Sequence, residues 1–293
     1  MNAPLRPVLD LAVLQQRVRD LPALPEAAMD ALALLRDSDS HIQDCADRLA
    51  CDPALTARVL GLANSAFFGA RGKVSSVVGA IQVLGRRSVI ALLATASVSQ
   101  AFTATAGTGF DLRGFWRHTL GAALAAQGIA RERGDDDGLA FTTGLLHDIG
   151  LLAMATHFPV ETEAVAAWCR KHDCPALAAE HAVLGPDVDH PHVGGMIAAH
   201  WHFPDAVTQA IRWHHAPSAE AAQLSPEARR LSDTVHVAEA LTHALDLHGA
   251  ADERVPRMDA GAWSRLGLSD EAGLRVLAHT HEGVNELAQA LGL

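Results

Sequence analysis

The stretch Gly144-Leu145-Leu146-His147-Asp148-Ile149-Gly150, followed by Leu151, sets an imidazole and a carboxylate inside an apolar run. Hydrophobic spacing predicts one helix over Leu139 to Ala155. Histidine and aspartate flanked by Leu145, Leu146, Ile149 and Leu151 are costly to bury unless they are paired or ligated. Two readings stand. The pair could hydrogen-bond to itself and lock core helices, or it could belong to a metal or acid–base site.

Working outward from that run, nearly everything reads as helix. Toward the N-terminus, Leu9, Leu11, Val13, Leu14 and Val18 leave one apolar face before the turn Leu21-Pro22-Ala23-Leu24-Pro25, and Ala28, Leu32 and Leu35 continue at helical spacing. Ile42, Ala46 and Leu49, then Leu55, Val59, Leu62 and Ala63, predict a helix pair broken at Asp52-Pro53, where proline suits a first turn. Ser76 to Ser99 reads as helix with a break at Gly85. Downstream, helices are predicted over Phe115–Arg133, Pro159–Lys171, Ala176–Leu184, His192–Trp201, Asp205–His215, Pro226–Leu247 and Asp270–Leu291. There is no Tyr and no alternating β-branched run to suggest strands. The expected fold class is all-α: a helical subdomain over residues 1–105 packed on a helical bundle over 110–293, with the small-residue stretch Ala104 to Gly109 between them.

Charge and histidine follow the same division. Residues 1–107 hold ten Lys/Arg and nine Asp/Glu, for +1, whereas residues 108–293 hold thirteen and twenty-five, for −12. Sixteen of the seventeen histidines lie downstream, only His41 falling earlier. The net charge of −11 argues against a general polyanion binder, so nucleic acid is not the expected partner. Arg58, Arg71, Lys73, Arg86 and Arg87 near Asp52-Pro53 make too modest a basic surface for a DNA-reading helix-turn-helix. Cys45, Cys51, Cys169 and Cys174 form no C-x-x-C pair and suit a reduced, cytoplasmic chain. Met1 to Pro7 lacks a signal pattern, and the apolar run Val89 to Ala96 is about half the ~20 residues of a membrane helix, so no membrane partner is expected.

The residues that could carry chemistry are His118, His147, Asp148, His190, His214, His215 and Glu239. Imidazoles with a few carboxylates are the donor set of Zn, Mn and Fe sites, and a carboxylate can bridge two ions. No H-E-x-x-H pair occurs among them, and they come from at least five predicted helices, so their convergence would be tertiary. His157, His172, His181, His243, His248, His279 and His281 read as structural or exposed.

Leu146-His147-Asp148-Ile149-Gly150 resembles the signature of the HD superfamily of metal-dependent phosphohydrolases, and the wider pattern resembles its regulatory branch, the HDOD domain. Upstream this rests on Leu21-Pro22-x-Leu24-Pro25, on Asp52-Pro53-Ala54-Leu55-Thr56 running to Leu62-Ala63-Asn64-Ser65-Ala66, and on Ala80-Ile81-x-x-Leu84-Gly85. Downstream it rests on Glu180, Gly185, His190, Gly194, Trp201, Pro204 and Ala210-Ile211-x-x-His214-His215. It covers about residues 15–250. The resemblance implies an all-helical bacterial signalling module, similar to the HD-GYP cyclic-dinucleotide phosphodiesterases. It implies one or two divalent transition metals (Fe, Mn or Zn) on His118, His147, Asp148, His190, His214, His215 and Glu239. Asp148 would be the catalytic residue if the chain is active. Signalling proteins are the expected partners, with a nucleotide or cyclic dinucleotide as ligand. The length beside the resemblance leaves no room for a receiver, GGDEF or EAL domain, so a signal is expected to arrive by ligand or partner.

Three departures shift the expectation from enzyme to regulator. The lysine after Asp-Ile-Gly in active HD-GYP proteins is Leu151 here. Ala216-Pro217-Ser218 follows His214-His215 instead of Gly-Tyr-Pro. Glu239 stands where that branch has aspartate. The alternative is an active metal-dependent phosphohydrolase. Phe67 and Phe68 read as core residues, with docking of a partner as the alternative.

Overall fold

In the computed structural model, residues 9–21, 46, 53–64, 74–85, 89, 110–219, 223–247 and 255–291 are described, and among them there are helices but no strand. The all-α class follows. The early helices are α1 (Leu11–Arg19), α2 (Pro53–Ala63) and α3 (Val77–Leu84). After them come α4 (Leu112–Arg133), α5 (Asp137–Leu146), α6 (Ile149–His157), α7 (Pro159–His172) and α8 (Ala176–Val183). The chain continues through α9 (His190–His200), α10 (Asp205–Trp213), α11 (Pro226–Ala244), α12 (Ala260–Leu266) and α13 (Asp270–Leu291). The basic residues Arg71, Lys73, Arg86 and Arg87, the side chain of Arg58, and Phe67 and Phe68 lie outside the described residues, as does the stretch Ala104 to Gly109.

Local chemistry sets the helix ends. Asp111, Asp136, Asp189 and Ser225 each accept a backbone N–H of the first turn of α4, α5, α9 and α11. Gly134 closes α4 in the left-handed region, φ 71°.

Helix α4 is the central strut. Ala122, Ala123, Ala125 and Ala126 are fully buried beside Leu120, Leu124 and Ile129, so α5, α11 and α13 pack closely against several of its faces. Small side chains permit that crowding. At Gly144 a Cβ would lie 2.7 Å from the Ala122 carbonyl oxygen, so glycine is what lets α5 lie on α4 at this distance. On the other side, α6 meets α9 so closely that a Cβ at Gly150 would fall onto the His190 carbonyl oxygen. Helix α1 packs on α9, and α2 on α13.

The predicted helix over Leu139 to Ala155 is in fact two. It breaks at His147 and Asp148, the C-cap of α5 and the N-cap of α6. The break turns the pair inward between two helices that are otherwise buried. The apolar stretch Asp137–His157 has membrane-helix length and composition, but nearly all of it is core of the protein. Helix α12, not anticipated from its seven residues, has readable end signals in Asp259 and Gly267.

Candidate metal centre

Seven residues read from sequence as candidate ligands meet at one place. Asp148 is central and almost fully buried. Its Oδ2 lies 3.3 Å from His147 Nε2 and 3.7 Å from His118 Nε2, while its Oδ1 lies 3.5 Å from His190 Nε2 and 3.6 Å from His214 Nε2. Glu239, on α11, forms a second focus: Oε1 is 3.5 Å from His215 Nε2, and Oε2 is 4.0 Å from His214 Nε2. His190 Nε2 and His215 Nε2 are 2.9 Å apart.

The chain holds these rings by their far sides. His147 donates Nδ1–H to the Gly144 carbonyl at 2.7 Å, and His214 donates Nδ1–H to the Ile211 carbonyl at 2.6 Å, each over the last turn of its own helix. Nδ1 of His190 donates to Glu180 of α8 at 2.8–2.9 Å. In all three the Nδ1 bond leaves Nε2 turned toward the carboxylates, the arrangement that outer partners impose on metal-binding histidines. Asp148 behaves unlike Asp189. Asp189 caps its helix and accepts from the His192 N–H at 2.9 Å, whereas Asp148 makes no capping bond and has both oxygens facing imidazoles.

A profile of the HDOD domain matches residues 21–217, which is more than half of the chain. The chain belongs to the HDOD family. A solved structure from Shewanella amazonensis SB2B, named as a candidate phosphohydrolase, is similar with TM-score 0.75 and 28% identity, covering 96% of this chain and 98% of that one. An HDOD domain protein of unknown function from Geobacter sulfurreducens matches at TM-score 0.75 and 24% identity over 96% of this chain and 98% of its own, a likeness of fold alone. An uncharacterized protein of Treponema pallidum (strain Nichols) is 25% identical over 95% of this chain. The chain spans about half the length of this curated relative, 52%.

Within the cluster the electrostatics are divided. Burial would raise the Asp148 and Glu239 carboxyls, but the surrounding imidazoles outweigh it and hold both well below the usual carboxylate range. Burial lowers His118 to about 3, despite the opposing field of Asp148. His215 is likewise pushed well below its ordinary value, chiefly by burial. In His190 burial works downward but the Glu180 carboxylate, with Asp148 and Glu239, wins and raises it to about 9. Burial and the carboxylates therefore push neighbouring imidazoles in opposite directions.

Three residues were not singled out for the site from sequence. His243, assigned there to a structural or exposed role, lies on α11 with Nε2 3.7 Å from Glu239 Oε1 and its ring 4.5 Å from that of His118. The signal was present in the i, i+4 spacing of Glu239 and His243. Glu180, quoted only as part of a motif, carries His190. His236 donates Nδ1–H to the His214 carbonyl at 2.7 Å and accepts the Asp259 N–H on Nε2 at 2.8 Å, which fastens the segment bearing His214 and His215.

Proposed function

We propose that this HDOD chain is a bacterial regulatory module built around a divalent transition-metal centre, acting through contacts with signalling proteins or a small ligand. The observation that carries this is the state of four buried atoms. His147 Nε2, His214 Nε2, Asp148 Oδ1 and Glu239 Oε2 make no hydrogen bond, yet they face one another across a few ångströms. Their lone pairs are left unsatisfied by protein donors, a costly arrangement that an ion relieves. Three sets of donors each lie within 4.8 Å of one another: His118, His147 and Asp148; His147, His214 and Glu239; His190, His214 and His215. One or two ions of Fe, Mn or Zn fit that imidazole-rich set, held by His118, His147, Asp148, His190, His214, His215 and Glu239, with His243 adjoining Glu239. The two oxygens of Asp148 face different pairs of imidazoles, so Asp148 would hold an ion together with either pair. When bound, the metal would supply Lewis acidity and positive charge in the pocket. The residues of the chain orient the donors, and they exclude water: only His215 and His243 of the set reach the surface appreciably, with side chains 16% and 18% exposed.

A metal-dependent phosphohydrolase is the second reading. It is favoured by the fullness of the donor set and by similarity to the Shewanella protein. Two features weigh toward the regulator. Leu151 is partly buried against the core, where a phosphate-binding cation would be wanted. Among the described residues every ion-pairing partner of Asp148 and Glu239 is a histidine, so no lysine or arginine stands at the centre to meet a dianionic substrate. Elemental analysis of untagged protein purified without chelator tests the shared premise. About one or more equivalents of transition metal are expected, and a metal-free protein that takes up no Mn, Fe or Zn overturns it. The same metal-loaded protein, incubated with cyclic di-GMP, separates the readings: turnover lost in Asp148→Ala establishes the enzyme, and no turnover supports the regulator.

A further inference from the structure

Ten and nine residues before Glu239 on α11, about 15 Å along the helix, Arg229 and Arg230 border a second charged site. A cavity of about 340 Å³ is lined there by Arg229, Arg230 and Asp233 of α11, Arg265 of α12, and Leu224. Three guanidinium groups meet one carboxylate, and that carboxylate is already satisfied. Asp233 is buried, and its two oxygens accept from Arg265 at 2.6 and 2.8 Å. Among the described residues the acidic partner of Arg230 is Asp135, at 3.9 Å, and Asp135 already accepts from Arg133 at 2.7 Å. Arg229 has no acidic partner among the described residues, and its Nε is buried without a hydrogen bond. Unfilled guanidinium donors on an excess of positive charge, in a half of the chain that carries −12, are what a phosphate group matches.

A second cavity, of about 550 Å³, shares Leu224 with the first and is lined by Asp205, Gln209, Arg212, Trp213, Gln223 and Ser225. The Arg212 guanidinium lies 5.4 Å from the centre of the half-buried Trp213 ring. An indole with a guanidinium over it, and side-chain amides beside both, suits a planar heteroaromatic ring that has polar edges. We propose that the two adjoining cavities form one binding site for a small nucleotide, with its phosphates on Arg229 and Arg230, next to the Asp233-bound Arg265, and its base beside Trp213. The site is separate from the metal centre. It touches the same segment, because Trp213 directly precedes His214.

The test titrates the full chain, in EDTA so that no phosphate can bind through a metal, with pyrophosphate and with ADP. Calorimetry and tryptophan fluorescence supply the readouts. ADP is expected to bind saturably at one site and more tightly than pyrophosphate. Arg229→Ala combined with Arg230→Ala should weaken both ligands at least tenfold while the helical circular dichroism is retained. Trp213→Phe should weaken ADP and leave pyrophosphate unchanged, and Asp148→Ala should leave both. Absence of saturable binding of either probe at millimolar concentration overturns the proposal. So does binding that the double arginine variant retains and Asp148→Ala loses, which would put the anion at the metal centre. Equal affinity for the two probes, unaffected by Trp213→Phe, overturns the nucleotide assignment.

Discussion

Glu180 binds His190 twice, accepting its backbone N–H on Oε2 at 3.0 Å and its ring Nδ1–H at 2.8 Å on the same oxygen. A single carboxylate on α8 thus fixes both the start of α9 and the direction of the His190 ring. Glu180 is itself 1% exposed, and among the described residues its carboxylate hydrogen-bonds to His190 alone. It is a positioning residue.

Glu180→Gln keeps the size of the side chain and removes its charge. Metal affinity, measured by competition with a chromophoric chelator, is expected to fall about 10- to 100-fold, the range typical when an outer partner of a metal-bound histidine is changed. If Glu180 only braced the α8–α9 contact, the melting temperature would drop and the affinity would not.

The charge on His190 gives a pH dependence with a definite sign. Its folded value of about 9 stands above the unfolded value of about 6.5. In metal-free protein its stabilisation is therefore fully present below about pH 6.5 and is lost as the pH rises through about 9. Melting temperatures of EDTA-treated protein should fall across that window, and Glu180→Gln should flatten the slope. Metal binding at Nε2 must expel the same proton, so affinity should rise with pH up to about 9. Calorimetry in buffers of different ionisation enthalpy counts the protons released, and zero release at pH 7 contradicts this.

Ligand substitutions should separate the site from the other histidines. His147→Ala and Asp148→Ala are expected to remove bound metal and the melting-temperature increment that the metal confers. His243→Ala should weaken metal retention, since it faces Glu239. His281→Ala, exposed on α13, should change neither quantity, and the same holds for His279→Ala. Equal losses in the two groups would mean that the metal sits elsewhere.

Much of this was legible in the residues. Helical periodicity anticipated α13 at both ends and most other helices to within a few residues, because capping aspartates, serines and prolines mark their starts. The buried His147-Asp148 pair was conspicuous because burial of both groups demands a reason. The kink at that pair was not legible, since the apolar run continues through it and only tertiary packing shows that two helices meet there. Glu180 was hidden for a related reason: it lies ten residues before His190, and nothing local distinguishes it from a solvated glutamate on α8. His243 was recoverable from its i, i+4 relation to Glu239, but a single histidine at that spacing acquires meaning only when His118 arrives from α4.

Gly150→Ala probes how helix packing sets the site. The added methyl would strike the His190 carbonyl oxygen and approach the Gly194 nitrogen at 2.8 Å, both backbone atoms that cannot rotate aside. Helices α6 and α9 must separate. Overpacking of this kind costs about 1–3 kcal/mol, and for a chain of this size each kcal/mol lowers the melting temperature by roughly 2–4 °C. Because α9 carries His190 and α6 begins beside Asp148, the same displacement should lengthen the 3.5 Å approach between His190 and Asp148 and weaken metal binding. Gly134→Ala is the matched control. Its φ of 71° makes alanine strained, but nothing lies within 4 Å of the new methyl and the position closes α4 away from the ligands. It should cost about 1–2 kcal/mol and leave metal affinity unchanged. Loss of stability in both variants with metal affinity intact in both would show that the α6–α9 contact supports the fold without setting the distance across the pocket.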